Sequence, residues 1–250
     1  MVGLPVFRGA LSLDGDVEHS VLDRDQGAPR AMNLSRMSYA VVDVETTGGS
    51  PESGHRITEI AIVVVREGQI VDVYERLVNP ERYISSWITR LTGIDERMVA
   101  GEPRFADIAH EIVTVLAGNV FVAHNAAFDW RFLSAELERA FGKTPTALQL
   151  CTVRMARVLL PQLQRKSLDY VAHHYGVQDI ARQYPLKRNC RHSAAGDAIV
   201  TAHCLLRMID DAADRGFTTW ADMTRAVSGR RPSSRRRSAL PSSTLDDRIA

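Results

Sequence analysis

Tyr39-Ala-Val-Val-Asp-Val-Glu-Thr-Thr-Gly48 is a β-branched run with two acids near its far end. Side chains alternate along a strand, so Ala40, Val42 and Val44 share one face and Val41, Asp43 and Glu45 the other. A strand apolar on both faces is buried, and buried carboxylates need partners. Asp43 and Glu45 would stand roughly 6.5–7 Å apart along it. That spacing lets one carboxylate bridge two cations while its neighbour holds one of them. The stretch predicts a central strand with chemistry at its end.

The surrounding pattern supplies a sheet for that strand. Residues 57–65 and 69–78 read as two further strands, joined at Glu67-Gly68 by a tight turn that predicts an antiparallel hairpin. Pro103 opens a periodic segment running to Ala117, with Gly118 as its stop, and residues 119–124 form a fourth strand. Helical patterns follow over 128–141, 152–160, 167–175 and 193–213. Three strands, a helix, a strand and then helices predict an α/β sandwich, a mixed central sheet flanked by helices.

Two other runs carry titratable groups. His124-Asn-Ala-Ala-Phe-Asp129 leaves the fourth strand and enters a helix. Asp129 alone would be a common first-turn acid, and His124 and Asn125 sit where α/β sheets place ligands. Phe128 reads as core or as a platform for a terminal base. In His192-Ser-Ala-Ala-Gly-Asp197, His192 precedes the last helix, Ser193 caps it and Asp197 lies in its first turns. A histidine five residues before an acid that completes a carboxylate set reads as a general base. Phosphodiesters are anionic and hydrolyse slowly, so a site that cleaves them must neutralise charge and generate hydroxide at neutral pH. Hard divalent cations held by carboxylates do both.

Composition bounds the reading. The 250 residues carry a formal net charge of +1 and are 45% hydrophobic, enough for a sizeable core. No apolar run approaches membrane-spanning length, no secretory signal is evident, and Cys151, Cys190 and Cys204 lack metal or disulfide spacing. A cytoplasmic protein is expected. Residues 229–250 hold six arginines against Asp246 and Asp247, a net +4; residues 1–37 carry −1, which leaves the middle at −2. A slightly acidic nucleic-acid enzyme makes sense if cations supply the positive charge. The expected organisation is a flexible leader over 1–37, a catalytic domain over 38–213, an extension over 214–228 and a basic disordered tail over 229–250. Met32 and Met37 precede the first strand, a pattern also expected of an over-long gene start.

Val42-Asp-Val-Glu-Thr-Thr-Gly48, His124-Asn-Ala-Ala-Phe-Asp129 and His192-x-x-x-x-Asp197 together resemble the three motifs of the DEDDh 3′→5′ exonucleases. Ile57-Thr-Glu-Ile-Ala61, Leu91-Thr-Gly-Ile94 and Ser167-Leu168 extend the likeness across residues 38–212. The set also resembles that of the proofreading epsilon subunits of bacterial DNA polymerase III, although Thr92 stands where they typically carry histidine. The resemblance implies a ribonuclease H-like fold and two Mg²⁺ or Mn²⁺ ions held by Asp43, Glu45, Asp129 and Asp197, with His192 as base. It also implies that Thr46, Leu91 and Ile94 flank the 3′-terminal nucleotide, beside His124, Asn125 and Phe128. The expected partner is single-stranded nucleic acid, DNA over RNA, with a DNA polymerase as a candidate protein partner. An RNA-trimming exonuclease and a non-catalytic binding module of the same fold are the competing readings. A nucleotide-binding protein is disfavoured because no Gly-rich phosphate loop is present.

Overall fold

The computed structural model describes residues 31–188 and 192–229. Its centre is a five-stranded sheet of order β3-β2-β1-β4-β5. The strands are β1 (Tyr39–Thr46), β2 (Ile57–Arg66), β3 (Gln69–Leu77), β4 (Val120–Ala123) and β5 (Gln149–Cys151). β1 pairs antiparallel with β2 and parallel with β4, so the sheet is mixed. The hairpin between β2 and β3 turns on Glu67 and Gly68, both at positive φ (49° and 73°), as a two-residue turn matched to strand twist requires.

Helices cover both faces. Ala40, Val42 and Val44 face α3 (Phe105–Leu116) and α4 (Ala126–Phe141), with Phe105, Ile112, Phe132 and Leu133 buried against them. Val41, on the other face, belongs to the layer containing α5 (Thr152–Leu159), α6 (Leu168–Tyr175) and α7 (Ala194–Asp214). The two-sided apolar character of β1 therefore reflects burial between two layers. Glu136 of α4 is 2% exposed and takes a bidentate pair from Arg56 at 2.6 and 2.9 Å, tying that helix to the start of β2.

Several elements depart from the sequence reading. Two helices precede α3, namely α1 (Ser86–Thr92) and α2 (Glu96–Val99), where no helix was expected. α1 has a Ser85 cap at its start and Gly93 at φ 72° at its end. α3 begins after Pro103, where the Asp107 carboxylate accepts from the Arg104 backbone N–H at 3.0 Å and from its guanidinium at 2.9 Å. Residues 31–37 are not a flexible leader. Leu34 and Met37 are 1% and 3% exposed, and Leu34 N–H donates to the Thr218 carbonyl at 2.9 Å. The supposed extension is likewise packed: α8 (Trp220–Val227) buries Trp220 and Met223 in the same cluster as Leu34. The domain thus reaches beyond 38–213 at both ends. Residues 1–30 of the expected leader, and residues 230–250 of the basic tail, lie outside the described residues. Among the described residues no helix is long and apolar enough to cross a membrane.

Candidate active site

Asp43 and Glu45 sit at the carboxyl end of β1, beside the carboxyl end of its parallel neighbour β4. Open α/β sheets place their ligands at such ends. Asp197 arrives from the first turn of α7, whose start is fixed by Ser193 Oγ accepting from Gly196 N–H at 3.2 Å. Carboxylate oxygens of Asp43, Glu45 and Asp197 all lie within 4.8 Å of one another. Asp129 comes from α4, on the opposite layer, and its Oδ1 accepts from Val44 N–H at 3.2 Å. Acids from both layers thus meet at one edge.

Their electrostatics are those of crowded anions out of water. Burial, then the charges of Asp129, Asp197, Glu45 and Glu59, hold the Asp43 carboxyl well above the usual range. Burial with Asp197 and Glu59 pushes Glu45 up to about 8, although Arg188 opposes the shift. Burial pushes Asp129 up to about 7 against backbone N–H bonds that favour its charged form. A cluster of hard oxygen donors, buried and mutually repelling, fits a divalent cation.

A pH dependence follows. Carboxyls with raised values keep protons in the cation-free folded protein that the unfolded chain has already released above about pH 4. Folded stability therefore falls as pH rises toward about 8, until these groups ionise. In EDTA, Tm should drop between about pH 5 and about pH 8.5, and Mg²⁺ should raise Tm more at the higher pH. Calorimetry showing no cation-dependent Tm at either pH would remove the cation from this cluster.

Glu59 and Arg188 were not singled out by sequence and belong beside these acids. Glu59 faces Glu45 across the β1–β2 ladder and is 2% exposed. Its Oε2 accepts from Arg188 Nη1 at 2.5 Å and from Ala194 N–H at 3.0 Å, while Arg188 Nη2 donates to the Thr92 carbonyl at 2.6 Å. One cation thereby joins β2, the end of α1 and the approach to α7. The signal was a lone acid in the apolar run Ile57-Thr-Glu-Ile-Ala-Ile62, which demands a buried partner.

The remaining predicted residues fall in different settings. His192 is half-buried at φ 57°, in the left-handed region, two residues before α7. His124 places Nδ1 2.9 Å from Thr152 Oγ1 and donates from Nε2 to the Lys166 carbonyl at 2.9 Å. Burial lowers its value to about 4, so the ring is a neutral clamp on the loop before α6. Asn125 is exposed at φ 78°, and Phe128 packs on Phe132 with ring centroids 5.0 Å apart. Thr46 is 6% exposed and donates from Oγ1 to the Gly48 carbonyl at 2.7 Å. The His55 ring lies so close to Gly48 that a Cβ there would collide with it. Ile94 is fully buried with Ile84, Ile88 and Val99, whereas Leu91 is 45% exposed.

A mixed sheet between helical layers, with four acids converging on one edge, is the ribonuclease H-like arrangement of a phosphodiester hydrolase. The exonuclease family profile (RNase_T) matches residues 40–205. The chain belongs to that exonuclease family, and its motif order is that of the DEDDh members. It is 30% identical to Exonuclease X, whose structure is in complex with 5′ overhanging duplex DNA; the match covers 74% of this chain and 99% of that one, with a TM-score of 0.54. It is 32% identical to the 3′-5′ exonuclease DinG of Bacillus subtilis (strain 168) over 192 residues. It is 35% identical to the DNA polymerase III subunit epsilon-like protein of Rhodobacter capsulatus over 189 residues. These matches cover 77% and 75% of this chain but only 20% and 26% of those longer proteins. The nuclease domain of 3′hExo, a DEDDh family member bound to rAMP, shares the fold at 18% identity, with 72% of this chain and 94% of that one covered and a TM-score of 0.58.

Proposed function

We propose that the chain is a 3′→5′ exonuclease that uses two divalent cations, Mg²⁺ or Mn²⁺. It would remove nucleoside 5′-monophosphates from single-stranded or frayed DNA ends in the cytoplasm, during proofreading or repair beside a DNA polymerase. The observation that carries this reading is the convergence of Asp43, Glu45 and Asp197 within 4.8 Å, with Asp129 bonded to the strand between the first two. DNA is favoured because Exonuclease X binds it and the epsilon-like relative is a polymerase III homologue by name.

In this reading Asp43, Glu45, Asp129 and Asp197 hold the cations. Bound there, divalent cations supply positive charge against the phosphate and lower the pKa of attacking water. His192 takes the proton from that water as it adds to phosphorus, and the 3′ oxygen of the penultimate nucleotide departs. Arg188 offsets the like charge of Glu45 and Glu59 and anchors the chain that leads to His192. Thr46, Leu91, Asn125 and Phe128 border the terminal nucleotide, with His124 and Ile94 supporting that border from within.

Direction is tested by topology of the substrate. Linear single-stranded DNA should be consumed completely while the circular form of the same sequence survives, with products running as nucleoside 5′-monophosphates. Cutting of the circle would make the protein an endonuclease. Matched RNA and DNA oligonucleotides degraded in parallel test the sugar, and faster loss of RNA would overturn the DNA assignment.

A further inference from the structure

Three large apolar side chains stand exposed within nine residues, one just before α1 and two on it: Tyr83 at 70%, Trp87 at 61% and Leu91 at 45%. The inward side of the same segment is fully committed, with Ile84, Ile88 and Thr92 between 2% and 5% exposed. Trp87 and Leu91 are four residues apart on a helix and so share one outward face. Exposed rings of this size cost free energy unless something covers them, and clustered ones mark binding surfaces.

The place of the ridge says what covers it. Its inner end, Leu91, adjoins Thr92, whose carbonyl is held by the Arg188 that pairs with Glu59 beside Glu45. From there the ridge runs back along α1 through Trp87 toward Tyr83, whose neighbour Arg82 donates to the Gly54 carbonyl. Arg90 is exposed next to Leu91 and Arg82 next to Tyr83, and the exposed acids Glu81 and Glu96 flank the stretch. Rings alternating with guanidinium groups suit a ligand that alternates flat bases with phosphates. A duplex keeps its base faces stacked on one another, so the ligand must be unpaired.

We infer that Trp87, with Tyr83 beyond it, is a stacking track for the unpaired nucleotides just upstream of a DNA 3′ end. This rests on the exonuclease reading above and adds to it a preference for a single-stranded tail of several nucleotides. The track acts on binding of the strand and leaves the chemistry at the acids alone.

The test compares Trp87→Ala and Trp87→Phe with the unaltered full-length protein on two substrates. One is a single-stranded DNA 20-mer; the other is p-nitrophenyl thymidine 5′-monophosphate, which carries no upstream nucleotide. Trp87→Ala should raise KM for the 20-mer by about tenfold, in line with one lost base stack, with kcat unchanged. The small ester should be hydrolysed as before, and Trp87→Phe should recover most of the loss. Independently of turnover, the 20-mer added in EDTA should quench tryptophan fluorescence of the unaltered protein and not of Trp87→Phe. Unchanged KM together with equal quenching in both proteins overturns the track. If Trp87→Ala also loses the small ester, quenching alone decides. An unaltered protein that hydrolyses neither substrate with Mg²⁺ or Mn²⁺ overturns the exonuclease reading, while quenching still judges the track.

Discussion

Replacing Asp43 with alanine should lower turnover on linear single-stranded DNA by about 10⁴-fold or more, because cation ligands act as one unit. Asp43 is the residue on which the charges of Asp129, Asp197, Glu45 and Glu59 all bear. Its removal takes away the carboxylate that Asp129 from one layer and Asp197 from the other both approach. The cation-free protein should lose little stability, since one of several crowded like charges has gone. That pairing of lost activity with a kept or raised Tm in EDTA separates a ligand from a fold-stabilising acid. Chelation should silence the unaltered protein to the same degree. Retained hydrolysis by Asp43→Ala would sink the proposed mechanism.

His192→Ala should cost about 10²–10⁴ in kcat, the usual worth of general acid–base catalysis. Cation affinity, followed by calorimetric titration, should stay close to that of the unaltered protein because all four carboxylates remain. The backbone at this residue needs a control. His192 lies at φ 57°, where alanine is strained and asparagine is tolerated. His192→Asn should therefore show the same loss of rate without a change in Tm. Full activity in the asparagine variant would exclude the imidazole as the base, and lost cation affinity would recast it as a ligand.

The order of the acids and the layered sheet were legible in the sequence because they rest on local pattern. β1 shows its burial on both faces through Ala40 to Val44, and the Glu67-Gly68 turn shows its hairpin through residue type alone. α1, β5 and α8 were not legible. Each is eight residues or fewer and is held by tertiary contact, as Trp220 and Met223 are held by the cluster containing Leu34. The convergence of Asp129 with Asp43 was implied by the family motifs, yet the Arg188 bridge between β2, α1 and the start of α7 was not. Its partners are 129 and 96 residues away from it, and no local pattern records such a meeting.

The two-layered origin of the acids bears on how the protein is made. Synthesis runs from the amino end, so Asp43, Glu45 and Asp129 leave the ribosome well before Asp197. Until that last acid has emerged and its helix has docked, the growing chain cannot complete the cluster. On the proposed mechanism, a nuclease built this way gains its cutting power only once α7 has docked.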